Sequence, residues 1–596
     1  MDPRIVWTAP GKEPPRPTRL AGHGVGGGAW AHTRGFASRF ASGTSLMPLG
    51  LSFVHLAGGL AAGKLAARMT RKAKQVRCLW PRSGGARHVA CASGAGDFEY
   101  LMDLEGFVSL CKRRGFVFPS GEIYGGYSGF FDYGPLGAEL KNNLKKMWWR
   151  RMVHGRDDVI GLDSAIVTTP SVHQASGHVD NFSDPMVDCK ESKQRFRADQ
   201  LMWAKVELED EGDVGYVSMV EDGNVEAALN KAAKKLAEGK KMKPLIIKDM
   251  TEASEEEVAL IPSPATKKPG SLTGARAFNL MFETTVGPYS DAGSKSYLRP
   301  ETAQGIFVNY KQVSYVMRQK VPFGIAQIGK AFRNEITPRQ FLFRSREFEQ
   351  MEIEYFIDPD ADFRAVQEEW IEEMWNFLKA VGLKECLMDR EVHEGDKLAH
   401  YARACTDIIF RYPFGTQELL GVAARGEYDL QQHAQASGQS MEYQVPGQKR
   451  KFVPHVIEPS LGIDRLFLAL LCSAYDEDVV GDEKRSLLRF HPCVAPITCA
   501  VFPLMKKPPA LVEKAQALAK QLRQRGWNVL YDQAGTIGKR YRRMDEVGTP
   551  FCCTVDFDTL EDDTVTVRRR DDPLEVSRMP IDAVARFLDD ECQLPM

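Results

Sequence analysis

The stretch Phe332–Phe356, FRNEITPRQFLFRSREFEQMEIEYF, constrains this chain more than any other. It alternates cationic, acidic and aromatic residues at period two across two strand-like runs, broken by a Thr-Pro-Arg turn. Strands send alternate side chains to opposite faces. Arg346, Phe348, Gln350, Glu352 and Glu354 therefore share one face of the second run, and Glu347, Glu349, Met351, Ile353 and Tyr355 share the other, mixed face. Charges on a covered face lose hydration unless they find partners. An edge hairpin with a solvated polar face is one reading of such a run. The first run, however, offers Arg333 and Glu335 on one face, beside Arg344. Fixed arginines, an aromatic plate and converging carboxylates suit a ligand bearing phosphate, an aromatic ring and an amine. ATP together with an amino acid fits that description.

The chain's 596 residues exceed the ~250–300 at which a single core stops growing, so several domains are expected. A formal charge of −1 hides two opposed parts. Residues 1–96 carry a net +12, with only Asp2 and Glu13 as acids, whereas the remaining 500 carry −13. An acidic body excludes a general nucleic-acid binder, so RNA contact must come from local clusters. The acid-poor, Arg-, Ser-, Ala- and Gly-rich leader reads as a transit peptide, or as a disordered basic tail touching nucleic acid. Within it, Leu46–Ala62 is too short and glycine-rich for a membrane span, though it suits the apolar part of a two-part plastid address. Met47 and Met69 are alternative starts. Gly22-His-Gly24-Val-Gly-Gly27 has GxGxxG form without a preceding strand and carries no nucleotide-binding signal.

Twelve scattered cysteines with no CxxC pair indicate reduced thiols and a non-secreted compartment. The sequon Asn181-Phe-Ser183 is then unused. An amphipathic helix is expected over Asp97–Gly115, and a second over Leu136–Val153, entered through Pro135, with a basic, tryptophan-bearing face. Composition shifts over residues 200–272: Glu207–Asp213 is acidic, Val225–Lys241 is Ala/Lys/Glu-rich, and Ser254–Glu257 is acidic again. This predicts an inserted, partly helical arm, either touching RNA or simply solvated. After His491 short strands alternate with helices: strands Ile497–Phe502, Trp527–Tyr531, Phe551–Asp556 and Thr564–Arg568, and helices Pro509–Arg525, Gly535–Glu546 and Ile581–Asp590. Such alternation predicts a mainly parallel, covered sheet. Lys539, Arg540, Arg542 and Arg543 form a cationic cluster that serves an RNA backbone or a solvated helix face.

Four segments, in order, resemble the class II aminoacyl-tRNA synthetases, and the glycyl-tRNA synthetase family in particular. They are GGYSGFFDYGPLGAELKNNLKKMWW (Gly125–Trp149), LRPETAQGIF (Leu298–Phe307), the FRNE…REFEQMEIE stretch and EPSLGIDRLFLALL (Glu458–Leu471). The likeness runs from about Asp97 to the C-terminus, except for the insertion. It implies an α+β fold: an antiparallel-sheet catalytic domain flanked by helices over 97–490, interrupted by the 200–272 subdomain. A C-terminal α/β anticodon-binding domain, the kind shared by glycyl-, histidyl-, prolyl- and threonyl-tRNA synthetases, would follow over 491–596. It also implies a homodimer through the Tyr133–Trp149 segment and, with the leader, a soluble place in a chloroplast or mitochondrion and no membrane association.

Carried over position by position, the resemblance gives Arg333 and Arg465 as the catalytic cations. Arg333 would hold the ATP α-phosphate, and Arg344 and Arg465 the outer phosphates. Phe348 would stack on adenine and Glu335 accept from its amino group. Asn334, Phe343, Leu419 and Gly462 complete the nucleotide site, with Glu418 organising Mg²⁺ between phosphates. Glu301, Glu352 and Glu458, with Ser460, would form an acidic wall around the glycine ammonium. Arg197 would pair with its carboxylate, and Arg425 stands as a further arginine of lower rank. Lys539, Arg540, Arg542 and Arg543 would meet tRNA(Gly). Bacterial-type relatives carry paired cysteines where this chain reads Cys189-Lys-Glu-Ser192 and Ile261-Pro-Ser-Pro264. One thiol cannot supply a four-ligand structural site, so no zinc is expected. Two alternatives stay open: a synthetase for threonine, proline or histidine, and a synthetase-like accessory subunit without catalysis.

Overall fold

The computed structural model describes residues 99–593 except 211, 222–224, 289–293, 396–397 and 399–401. The leader, its apolar run and its alternative starts lie outside the described residues. Seven strands form the central sheet: β1 Val159–Gly161, β2 Phe323–Phe332, β3 Glu347–Ile357, β4 Met388–His393, β5 Ala404–Tyr412, β6 Gly415–Gly426 and β7 His455–Gly462. Their order is β4-β5-β6-β7-β3-β2-β1, antiparallel throughout except the edge pair β1–β2.

Strand β3 shows how the sheet is decided. Met351, Ile353 and Tyr355 enter the main core, while Gln350 and Glu352 face a cleft on the other side. The face expected to be mixed is thus apolar where it is covered. Its two acids are paired: Glu347 with Lys330, and Glu349 with Lys141 and Lys145 at 3.2 and 3.1 Å. Helices cover the core face. Helix α1, Leu104–Arg114, starts later than expected because Asp103 caps it, accepting from the Gly106 N–H at 2.8 Å. It ends where Gly115 takes φ +74°, a left-handed conformation that glycine adopts without strain. Helix α2, Pro135–Trp149, buries Leu140, Leu144 and Trp148 at helical spacing, so the tryptophan face packs inward. Helices α3 (Ala303–Met317), α4 (Phe363–Ala380) and α5 (Ile463–Ala474) follow. All of α5 is buried except Arg465, a cation held half-exposed at the rim of the cleft.

The insertion is more sheet than helix. Leu201–Leu208 lies between Gly212–Val220 and Ile247–Asp249, with the single longer helix Val225–Leu236 packing Leu229 and Ala233 onto them. The acidic run expected there is the bend of a hairpin in which Glu207 pairs with Asp213. The C-terminal sheet contains β8 Cys499–Pro503, β9 Val529–Tyr531, β10 Phe551–Val555, β11 Thr564–Arg569 and β12 Val576–Pro580, in the order β9-β8-β10-β11-β12. Only β9–β8 and β8–β10 are parallel. The expectation of a mainly parallel sheet fails at β10. A parallel return needs a crossover of a dozen or more residues, and only the short helix Phe557–Asp562 stands before β11. Helices α6 (Pro509–Gln524), α7 (Ile537–Val547) and α8 (Val584–Glu591) complete this region. Among the described residues no helix is long and apolar enough to cross a membrane.

Candidate active site

Strand β2 ends at Phe332, and β3 begins only at Glu347. Arg333, Asn334, Glu335, Phe343 and Arg344 therefore sit in the connecting loop, not on a shared strand face as the alternation suggested. Pro338 offers no ladder N–H, and Gln340 and Phe341 turn with φ +59° and +56°, so pairing cannot continue. The loop is pinned by Arg346, which donates to the carbonyls of Glu335 at 3.0 Å and Ser128 at 2.7 Å.

Arg333 donates through Nε to the Pro300 carbonyl at 3.1 Å, and its guanidinium lies 5.3 and 5.6 Å from the Phe348 and Phe182 rings. Arg465 lies 4.4 Å over Phe343 and pairs with Glu418 at 3.0 Å. That guanidinium holds the Glu418 carboxyl below its ordinary range. Arg344 stands 3.6 Å from the buried Glu335. These side chains, Phe182 excepted, line one cavity of about 410 Å³ together with Leu419 and Gly462. Asn334 does not line it; its backbone N–H is spent on the Leu280 carbonyl at 2.8 Å. The arrangement suits a triphosphate beneath an aromatic plate. Glu418, half-exposed beside the arginines, suits the single-carboxylate hold that Mg²⁺ takes when phosphates supply its other ligands.

The same cavity is floored by acids. Glu301 precedes α3, Glu352 lies on β3, and Glu458 and Ser460 lie on β7, where Ser460 is the direct neighbour of Glu352. Glu352 accepts from the Thr302 N–H at 3.1 Å, Gln350 at 2.6 Å and Ser460 at 2.7 Å. At the centre stands Arg425, ranked low from sequence. It donates to Asp429 at 2.8 and 2.9 Å and to Glu458 at 2.9 Å, and lies 3.9 Å from Glu301. Arg425 lies on β6 and Asp429 in the first turn of the helix Tyr428–Ser437, so no helical spacing announces the pair. Gln304 links Glu301 to Asp429, both at 2.9 Å.

Glu301, Glu354, Glu458 and Asp429 thus converge on one guanidinium, with Glu352 beside them as a fifth buried acid and His178 3.5 Å beyond Glu301. Five acids cannot all ionise against one buried cation. Glu354, with neither oxygen hydrogen-bonded, is pushed well above its ordinary range, by burial first and Glu458 second. Burial also raises Glu458 to about 8, because Arg425, already gripped by Asp429, offsets it only in part. Burial opposes the Glu301 carboxylate too, yet His178 and Arg425 hold it below the usual range. An added cation in this ring completes its charge balance.

Other assigned positions fall elsewhere. Arg197 does not reach the acid ring: it is bound by Asp199 at 3.0 and 2.6 Å and by Asp184, near Glu335 and Arg344 on the nucleotide side. The cationic cluster of α7 is not one free face. Arg540 is buried and donates to the Pro503 carbonyl at 2.6 Å, Arg542 pairs with Glu483 at 3.0 Å, and Arg543 pairs with Asp532, leaving Lys539 exposed. Helical periodicity turned part of that run inward. Cys189 is buried, and although burial opposes its thiolate, hydrogen bonds from Ser192 and Ser263 bring it down to about 6. The two segments do meet, with serines there; among the described residues no cluster of three or more His, Cys, Asp or Glu could hold a metal.

The class II core family of tRNA synthetases (G, H, P, S and T) matches residues 282–474, and the anticodon binding domain family matches residues 498–591. The chain is 46% identical to the glycine–tRNA ligase of Clostridium kluyveri over 497 residues, covering 83% of this chain and 99% of the relative. It is 46% identical to that of Lysinibacillus sphaericus over 491 residues (82% and 99%), and 47% identical to that of Clostridium acetobutylicum over 490 (82% and 98%). The two matching families and 46% identity over nearly the whole length of these relatives place the chain in the glycine–tRNA ligase family.

Proposed function

We propose that this protein joins glycine to the 3′ end of tRNA(Gly) in two ATP-driven steps. The observation that carries the reading is one cleft uniting three arginines with a ring of buried acids. A glycine carboxylate oxygen attacks the α-phosphorus and pyrophosphate leaves; a hydroxyl of the terminal ribose then attacks the glycyl carbonyl and AMP leaves. Such attack needs positioning and charge neutralisation rather than a protein nucleophile. Arg333 faces the α-phosphate, Arg344 and Arg465 the outer phosphates, Phe348 the adenine, and Glu418 the Mg²⁺. The acid ring takes the ammonium. ATP–pyrophosphate exchange with each amino acid in turn tests this: glycine alone is expected to support it. Exchange with threonine, proline or histidine instead reassigns the substrate, and tRNA binding without any exchange favours an accessory subunit.

The charge count adds a second expectation. Below about pH 8 the empty ring holds a proton on Glu458, and an arriving ammonium displaces it. Glycine affinity should rise about tenfold per pH unit up to that point, one proton leaving per ligand bound. For the empty protein the sign is opposite. A carboxyl raised by burial stabilises the fold fully below its unfolded value of 4.5 and loses that contribution as pH climbs to about 8. Calorimetric titration in two buffers of different ionisation enthalpy reads the proton directly; a pH-independent affinity with no proton release would refute it.

Further parts of the proposal rest on surfaces. Lys539, Lys506 and Lys507 are exposed and support tRNA contact by the C-terminal region. Ile123, Tyr124 and Tyr127, highly exposed ahead of α2, support a homodimer, which light scattering tests. The basic leader supports import into a chloroplast or mitochondrion, to be tested by fusing residues 1–96 to a fluorescent protein.

A further inference from the structure

The cleft runs on past the residues assigned above. Beyond Glu458 and Ser460 its floor continues over β6, β5 and β4 through Ala423, Gly421, Cys405, Asp407 and His393. Residues directly paired across antiparallel strands share a face. Glu352 pairs with Ser460, Ser460 with Gly421, and Gly421 with Asp407. Asp407 therefore belongs to the same row as the acceptors of the acid ring, two strand spacings or about 10 Å from Ser460. Gly421 keeps the floor between them low; a Cβ there would stand 3.0 Å from Asp407 Oδ1.

Asp407 is held in place. Its Oδ2 lies 2.7 Å from His393 Nε2, and its Oδ1 accepts the Cys405 thiol at 3.4 Å. A thiol is a weak donor, so that oxygen keeps acceptor capacity. Burial and the Glu418 carboxylate both raise Asp407, with His393 pulling it back. A carboxyl held in this way offers acceptor oxygens, which fits it to hydroxyl donors. A vicinal diol presents two such donors to one carboxyl. Both nucleotide substrates of a tRNA ligase carry one, on the ATP ribose and on the terminal ribose of tRNA.

We propose that Asp407, positioned by His393, accepts hydrogen bonds from a ribose diol and so fixes a ribose at the outer end of the cleft. The inference rests on the ligase reading given above. It is tested by comparing each ribose with its deoxy analogue in the full-length protein. Exchange is run with ATP and 2′-deoxyATP; transfer from preformed glycyl-adenylate is run with tRNA ending in adenosine or 2′-deoxyadenosine. In one of the two steps the wild type should favour the full ribose by about tenfold, the size of a charge-assisted hydrogen bond. Asp407→Ala should bring that ratio close to one. Collapse of the ratio in exchange assigns the ATP ribose, and collapse in transfer assigns the tRNA ribose. Should Asp407→Ala not fold, Asp407→Asn is read by the same ratios, with a fall of about threefold expected because the neutral amide is the weaker acceptor. A structural role for Asp407 lowers the rates with full and deoxy substrates alike. Ratios that stay at wild-type values in both steps, or a wild type that never discriminates, overturn the proposal. A wild type lacking glycine-dependent exchange removes the ligase reading and this proposal with it.

Discussion

Arg425→Leu is expected to lower the unfolding free energy by about 3–5 kcal/mol and to abolish glycine binding. Arg425 is only 3% exposed, so solvent screening does not soften its loss. Its fork satisfies both oxygens of Asp429 and one of Glu458, and its face lies 5.3 Å from the Phe307 ring. Without it, Asp429 and Glu458 lose their cation inside the fold, and the ring must take up protons to persist. Arg425→Lys keeps the charge but not the fork, and should cost roughly half as much. Denaturant melts with and without glycine check both variants. An Arg425→Leu protein within about 1 kcal/mol of wild type would show that the ring does not depend on this residue.

Much of the architecture was legible because its signals were local. Proline at the start of α2, glycine after α1 and period-two alternation through β3 each act within a few residues, and the structure obeys them. The errors came where distant contacts decide. The alternation of Phe332–Phe356 did not reveal that Arg333–Arg346 leaves the sheet, because the break depends on turn geometry and on anchors as remote as Ser128. The reversal after β10 follows from connection length rather than composition. Strand β12 was missed because it is an exposed, proline-ended edge whose residues read as loop.

The candidate site divides in the same way. Residues inside contiguous motifs, such as Arg333, Glu352, Glu458 and Arg465, do share a cleft. Arg197 does not reach the glycine end, because Asp184 and Asp199 claim its guanidinium. Arg540 shows the opposite failure: a cation in a basic run reads as free, yet backbone carbonyls of Pro503 and Leu504 bind it. Arg425 stands low on sequence grounds because its partners Glu301 and Glu458 come from separate parts of the chain. No spacing rule encodes that meeting; packing of α3 against β2, β3 and the helix Tyr428–Ser437 does.

Arg333→Ala is expected to slow glycine-dependent exchange by about 10²–10³-fold, or ~2.7–4 kcal/mol of transition-state stabilisation. Among the described residues Arg333 pairs with no carboxylate, whereas Arg465 is shared with Glu418 and Arg344 stands against Glu335. Its charge is the one not already offset, and the Pro300 carbonyl and two flanking rings fix where it points. A preoriented, unspent cation costs little reorganisation when charge develops on the α-phosphate. Because among the described residues it makes no ion pair with a buried acid, Arg333→Ala should leave the melting transition within about 1 kcal/mol of wild type, and tRNA binding intact. Arg333→Lys keeps the charge without the planar stack and should fall between the two. Exchange kinetics beside denaturant melts therefore separate the two arginines. Arg425 shows in both measurements, Arg333 in the kinetics alone. Arg333→Ala exchanging within tenfold of wild type, or melting as early as Arg425→Leu, would move the catalytic charge to another residue.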